Sequence, residues 1–315
     1  MEAQMKIDGA KLTLFCAALL PGLLSPPAFA QADFSGQWEA LYHEDAPERL
    51  PGPELGDYLG MPINEAARLR ADSYDADRIS VVTEYQCRPH SSDYSMHGLS
   101  SLRIWNEYDP ATQKLLAVHT HTSYFGMERT IWMDGRPHPP DYALHTFQGF
   151  STGKWEGTML TIYTTHLKPS YTKRNGIPSS DKRTISEHWT IHGDYLSVSV
   201  VDDDPVFLAE PLIRSASWQR DPDQHIIPYF CETLPEVPLP EGTVPHHLPG
   251  TNKFLTEVAD WYGLPAEATR GGPETMYPEY RLKMGQPNSP PPQHCERYCN
   301  CYAGGNQCVV REGKK

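Results

Sequence analysis

The chain has 315 residues, with 27 Lys plus Arg against 40 Asp plus Glu, a formal charge of −13 and a pI near 5.5. That length accommodates one domain of roughly 200 residues plus extensions, or two small domains. The acidic balance repels phosphate backbones and anionic bilayers, which argues against nucleic acid or a membrane surface as the principal partner, and no apolar run approaches the roughly 18 residues of a spanning helix.

Residues 1–30 read as an export signal. Lys6 and Lys11 make a positive start, residues 12–24 form an apolar stretch broken by Pro21, and Ala28-Phe29-Ala30 supplies the small-residue ending, with cleavage expected after Ala30. The expected location is periplasmic or secreted. Cys16 is lost with the signal. Six cysteines remain, Cys87, Cys231, Cys295, Cys299, Cys301 and Cys308, an even number that favours disulfides in an oxidising compartment. A natural arrangement ties Cys87 to Cys231 and places two bridges within the Cys-rich tail, residues 293–315. In that tail His294 precedes a C-x3-C-x-C-x6-C pattern, which departs from the C-x2-C knuckle of a zinc site.

A main domain is expected over 31–220. It opens with a strand at 33–43, a Pro- and Gly-rich loop at 46–62, and a short helix at 63–72 on the spacing of Ile63, Ala66, Ala67 and Arg70. Strands follow at 79–85, 102–108, 114–123, 128–133, 145–150, 159–166, 184–192, 195–201 and 206–218, the last broken at Pro211. Turn signals at Asp109-Pro110, Asp134-Gly135, Glu156-Gly157, Asn175-Gly176 and Gly193-Asp194 separate them. Roughly ten mostly consecutive strands predict a mainly β fold, most economically an antiparallel up-and-down barrel, with a two-sheet sandwich as the other closure. Residues 221–292 hold 14 of the 30 prolines. They read as an extension wrapped around the barrel with one short helix at 252–262, and as a possible docking segment for a protein partner.

The Gly36-Gln37-Trp38 triplet resembles the lipocalin opening motif, which implies a lipocalin-like barrel. The phrases Gln-Cys-Arg-Pro-His at 86–90, Arg-Thr-Ile-Trp-Met-Asp-Gly-Arg-Pro-His-Pro at 129–139, Gly-Lys-Trp-Glu-Gly at 153–157 and Thr-Ile-Ser-Glu-His-Trp at 184–189 resemble a group of uncharacterised exported bacterial proteins. That resemblance covers most of residues 35–218. It implies the compartment and a single β domain, and carries over no catalytic residue.

Three groups of residues carry the candidate chemistry. His119 and His121 share one face of a strand, where two imidazoles at i and i+2 can reach a common ligand or move a proton. In the cupin pattern position 125 would be a Glu; here it is Phe125, so no metal set is assigned. The second group, Arg129, Trp132, Asp134, Arg136, His138 and His145, is expected around a barrel mouth. There an Arg fork suits a carboxylate or phosphate, unless Arg136 simply pairs with an acid in an Asp-Gly turn. Glu187 is the third candidate, lying between Ile185 and Trp189 on an apolar face. A carboxylate there either carries a raised pKa useful for proton transfer or is neutralised by an arginine such as Arg129. Gly153–Gly157 reads as a turn with Trp155 packed as a plug. Asp202-Asp203-Asp204 reads as a solvated turn, because it lacks the glycine and terminal glutamate of an EF-hand. No nucleophile-elbow, P-loop, zincin or dinucleotide fingerprint occurs.

Together these features point first to an exported barrel that binds a small, partly apolar ligand. A cofactor-free or metal-assisted isomerase, lyase or hydrolase using His119, His121 and Glu187 is the alternative, and a protein-interaction role for the extension and tail is the third reading. The sequence names no cofactor.

Overall fold

The computed structural model describes residues 32–41, 53–97 and 100–284, with Trp261 and Tyr262 described by their backbone alone. The expected signal segment and the Cys-rich tail, including Cys295, Cys299, Cys301 and Cys308, lie outside the described residues.

Nine strands close into a barrel. They are β1 (Gly36–Ala40), β2 (Leu102–Tyr108), β3 (Leu115–Thr122), β4 (Met127–Trp132), β5 (Phe150–Glu156), β6 (Met159–Thr165), β9 (Thr184–His192), β10 (Tyr195–Asp203) and β11 (Leu212–Arg220). A separate two-stranded ribbon, β7 (Ser170–Tyr171) with β8 (Pro178–Ser179), lies between β6 and β9. Neighbours around the barrel follow chain order, and β1 closes it by pairing with both β2 and β11. The clearest hairpin joins β9 to β10 through Gly193-Asp194, with His192 opposite Tyr195 and Gly193 at φ +60°.

The barrel departs from a pure antiparallel meander at one seam. β4 and β5 run parallel, Ile131 facing Ser151 and Trp132 facing Thr152. Residues 133–149 contain Pro137, Pro139 and Pro140, which cannot donate to a ladder. This segment carries the chain back across the wall instead of making a hairpin. The strand expected at 145–150 is therefore part of the crossover. Of the segment expected as a turn, residues 153–156 belong to β5, and only Gly157, φ +67°, lies in the reversal. Gly153 lets Met133 pack directly over the strand, since a Cβ there would displace its Sδ.

Alternation decides what fills the barrel. On β10, Leu196, Val198, Val200 and Asp202 point inward between exposed or half-exposed neighbours. Trp38, Trp189 and Trp218 are each 0% exposed and occupy the apolar part of the interior. Phe34 closes that part, stacked on Trp155 at 5.6 Å and edge-on to Trp189 at 5.9 Å. Trp155 does pack as a plug, from a strand.

The other barrel end is covered by residues 53–97. Helix α1 (Glu65–Asp72) starts at Asn64, whose side chain accepts from Ala67 N, and buries Ala67 and Ala71 beside Tyr58, Met61, Ile63, Ile177 and Leu212. The strand expected at 79–85 is instead a series of turns with a 3-10 turn at Glu84–Gln86, followed by α2 (Ser92–Ser95). Its β-branched run is real, but Asp75 Oδ1 accepts from Asp77 N and the Asp75 and Arg78 carbonyls accept the next amides, so the backbone is satisfied locally.

The extension contains more helix than the one predicted. After a 3-10 turn at Lys253–Thr256 come α3 (Glu257–Tyr262), α4 (Ala266–Thr269), a second 3-10 turn at Pro273–Met276, and α5 (Pro278–Lys283). Prolines at 265, 273 and 278 sit at helix starts, where a missing N–H costs nothing. The helix expected at 252–262 is the first 3-10 turn together with α3; α4 and α5 are too short to show a periodic stripe. The extension is fastened to the 53–97 cap. Cys87 and Cys231 form a disulfide with Cα atoms 5.7 Å apart, Ser80 N donates to Glu236 (2.8 Å), His247 N donates to Ser73 O (2.9 Å), and Asn252 Nδ2 donates to Asp72 O (2.8 Å). No helix among the described residues is long and apolar enough to cross a membrane.

Candidate functional site

Glu187 lies inside the barrel and is paired with Arg129. Arg129 Nη2 stands 2.6 Å from Glu187 Oε1, and Trp189 Nε1 donates to Oε2 at 2.9 Å. Arg129 Nε also donates to Ser151 Oγ (2.9 Å) and Nη2 to Thr164 Oγ1 (2.7 Å). Both charged side chains are almost wholly buried, at 1% and 0% exposure. The lost water is replaced in part by charge-assisted hydrogen bonds from the wall, with Arg129 Nη1 left buried without a hydrogen-bond partner among the described residues.

His119 and His121 stand on the outer face of the same wall. His119 Nε2 is 2.7 Å from Glu107 Oε2, Nδ1 is 3.1 Å from Thr130 Oγ1, and the ring stacks on Trp105 at 5.1 Å. His121 Nδ1 is 3.2 Å from Glu128 Oε1. Trp105 and Thr130 are the register partners of His119 and Glu128 that of His121, while Glu107, opposite Ala117, reaches His119 diagonally. Both rings are separated from Glu187 by the thickness of the sheet, so the structure does not bring the three proton-transfer candidates together.

The group expected at a mouth is divided in the same way. Arg129 faces inward. Arg136 forks onto Asp134 (Nε 2.9 Å, Nη2 2.6 Å) with its guanidinium 3.5 Å above the Trp132 ring, so its planar face is already used. That hydrogen bond holds the Asp134 carboxyl below the usual range. His138 bridges Thr165 (2.7 Å) and Thr152 (2.9 Å), and burial together with the nearby His166 lowers its pKa. His145 Nδ1 donates to Leu167 O (2.9 Å), with its ring 5.1 Å from that of His166. These histidines pin the crossover to the outside of the barrel.

The Asp202-Asp203-Asp204 stretch is not a solvated turn. β10 runs to Asp203, so Asp202 keeps the inward phase and is buried. Asp204 accepts from Ser180 N and Oγ and from the amides of Val206 and Phe207.

Where the cap meets the extension lies a cleft of about 640 Å³ that sequence reasoning missed. Arg70 of α1 and Arg88, next to the disulfide, line it. Among the described residues neither makes an ion pair and no carboxylate lines the cleft. Hydroxyls come from Ser80, Thr83, Ser170 and Ser179. Apolar surface comes from Phe147, Phe207 and the edge-on pair Tyr74–Tyr171, whose centroids are 5.0 Å apart. Burial raises both phenol pKa values, so these hydroxyls remain donors at neutral pH. His246 and His247, from the extension, complete the lining.

Beneath this region Glu84 takes His90 Nε2 at 3.2 Å and Arg174 Nε at 3.1 Å, and His90 stacks on Tyr94 at 3.9 Å. Burial alone would raise the Glu84 carboxyl. His90 and Arg174 outweigh it and hold the group at about 2.

No protein-family model matches the chain, and no curated protein matches it. Among solved structures, the fluorescent protein UnaG matches at 9% identity, covering 60% of this chain and 97% of its own, with a TM-score of 0.28. A secretory abundant heat soluble protein from Ramazzottius varieornatus matches at 10% identity, covering 61% and 98%, with a TM-score of 0.24. The barrel assignment rests on the strand pairing described above.

Proposed function

We propose that the protein is an exported binder of a small, partly apolar anion, held in the cleft between cap and extension rather than among the packed tryptophans of the barrel. The observation that carries this reading is the cleft itself. Its volume of about 640 Å³ is of ligand-pocket size, and Arg70 and Arg88 both line it with no carboxylate among the described lining residues. The aromatic and hydroxyl lining suits an aryl or alkyl acid, whose carboxylate an Arg fork can take bidentately. Export is supported by the composition of residues 1–30 and by a Cys87–Cys231 disulfide that an oxidising compartment would keep closed.

The test is a titration with benzoate against its neutral analogue benzamide, read by calorimetry. The expected result is preference for benzoate and a loss of tenfold or more, about 1.4 kcal/mol, in the Arg70→Gln/Arg88→Gln protein. Equal binding of acid and amide, or unchanged affinity in that variant, would contradict the proposal.

A further inference from the structure

A second, smaller cleft of about 320 Å³ lies against the start of β11, lined by Arg214 and Ser215 with Leu59, Met61 and Leu212. Beside it is a buried charge cluster that the first cleft does not use. Asp93 of α2 sits between two guanidinium groups. Arg183 Nη1 lies 3.3 Å from its Oδ1 and Arg214 Nη2 lies 2.6 Å from its Oδ2. Arg183 also approaches Asp202 Oδ2 at 3.6 Å. Arg183 and Asp93 are 0% exposed, Asp202 1%, and Arg214 8%.

The cluster has more donors than acceptors. Arg183 Nε and Nη2 and Arg214 Nε and Nη1 are buried without a hydrogen-bond partner, against the single acceptor Asp202 Oδ1. A buried, charged N–H left in this state is costly, and four in one cluster are not explained by packing. The two arginines overcome burial and keep Asp93 ionised, whereas burial and the Asp93 charge push the Asp202 carboxyl up. Among the described residues that line this cleft there is no carboxylate.

We propose that this cleft binds a small oxyanion, a carboxylate or phosphate group, which hydrogen-bonds to the unsatisfied guanidinium nitrogens of Arg214. A group of this size needs only part of the 320 Å³, so it can be one end of a larger molecule or a free ion. The inference is independent of the first cleft.

The experiment uses the full chain carrying Arg70→Gln/Arg88→Gln, which silences the first cleft. Thermal unfolding is followed in phosphate, acetate and chloride at equal ionic strength, because a ligand that binds only the folded state raises the midpoint saturably. Phosphate or acetate is expected to stabilise above chloride, and whichever acts identifies the group. Two further variants locate the effect. Arg214→Gln removes the donors. Ile213→Trp fills the cleft from a residue that is 70% exposed and outside the charge cluster, so it reports even if Arg214→Gln does not fold. Either is expected to weaken half-saturation by about tenfold or more. Stabilisation no greater than in chloride, or an effect that survives Ile213→Trp, would overturn the proposal.

Discussion

Glu187 sits between Ile185 and Trp189 on the face that packs the barrel, and its position requires a cation beside it. That much is legible from the two-residue period of β9, and Arg129 is the partner. The consequence is an asymmetry between single and paired substitutions. Arg129→Met leaves a carboxylate with 0% exposure uncompensated and is expected to cost about 3–5 kcal/mol, whereas Arg129→Met/Glu187→Leu recovers most of that loss. Urea unfolding of the three proteins checks it. Asp202 was illegible for a small reason. The expected strand stopped at Val201, one residue short of the inward position that places this carboxylate beside Arg183. Glu84 carries a pH signature. Its carboxyl falls from an ordinary 4.5 to about 2, so its contribution is complete above the unfolded value and is lost as the pH drops through the folded one. Wild type is expected to exceed Glu84→Gln in stability by up to about 3 kcal/mol at pH 6, with the gap closing between pH 4.5 and 2. A constant gap across that range would refute it.

At the scale of elements, hairpins and alternation were the readable part. β9, bounded at Thr184 and His192, was anticipated to the residue because Gly193-Asp194 ends a clean alternating run. The parallel seam between β4 and β5 was not, since nothing in a strand's own pattern states the direction of its neighbour. The 79–85 segment has strand composition but turn hydrogen bonding. In the extension the helix read at 252–262 is present as a 3-10 turn followed by α3, whereas α4, the second 3-10 turn and α5 are four to six residues each, start at prolines and fall below the length at which periodicity shows. The Cys87–Cys231 link, expected as the natural arrangement once the other four cysteines are grouped in the tail, spans 144 residues and joins the extension to the cap. A crosslink closing so long a loop is worth about 5 kcal/mol on chain-entropy grounds. Cys87→Ser/Cys231→Ser is therefore expected to increase proteolytic nicking within 221–250 while the far-UV spectrum of the barrel persists, and to weaken binding in the cleft that His246 and His247 help to line.

For the whole molecule, the proposed function makes the barrel the support and the cleft between cap and extension the working surface. Three buried tryptophans and a buried ion pair make the barrel interior rigid and occupied. The cap, held on one side by α1 and on the other by the extension, leaves the larger cleft open. That cleft could not be read from the chain because its lining comes from Arg70, Arg88, Phe147, Ser179 and His247, distant in sequence and individually ordinary. The barrel was readable because each strand repeats one signal. A cleft has no repeat. The most direct measurement is native mass spectrometry of protein recovered from a bacterial periplasm, run beside Arg70→Gln/Arg88→Gln with denatured controls. The account predicts an organic acid retained by wild type and absent from the variant. A bare wild-type chain, or a ligand retained equally by both proteins, would contradict it.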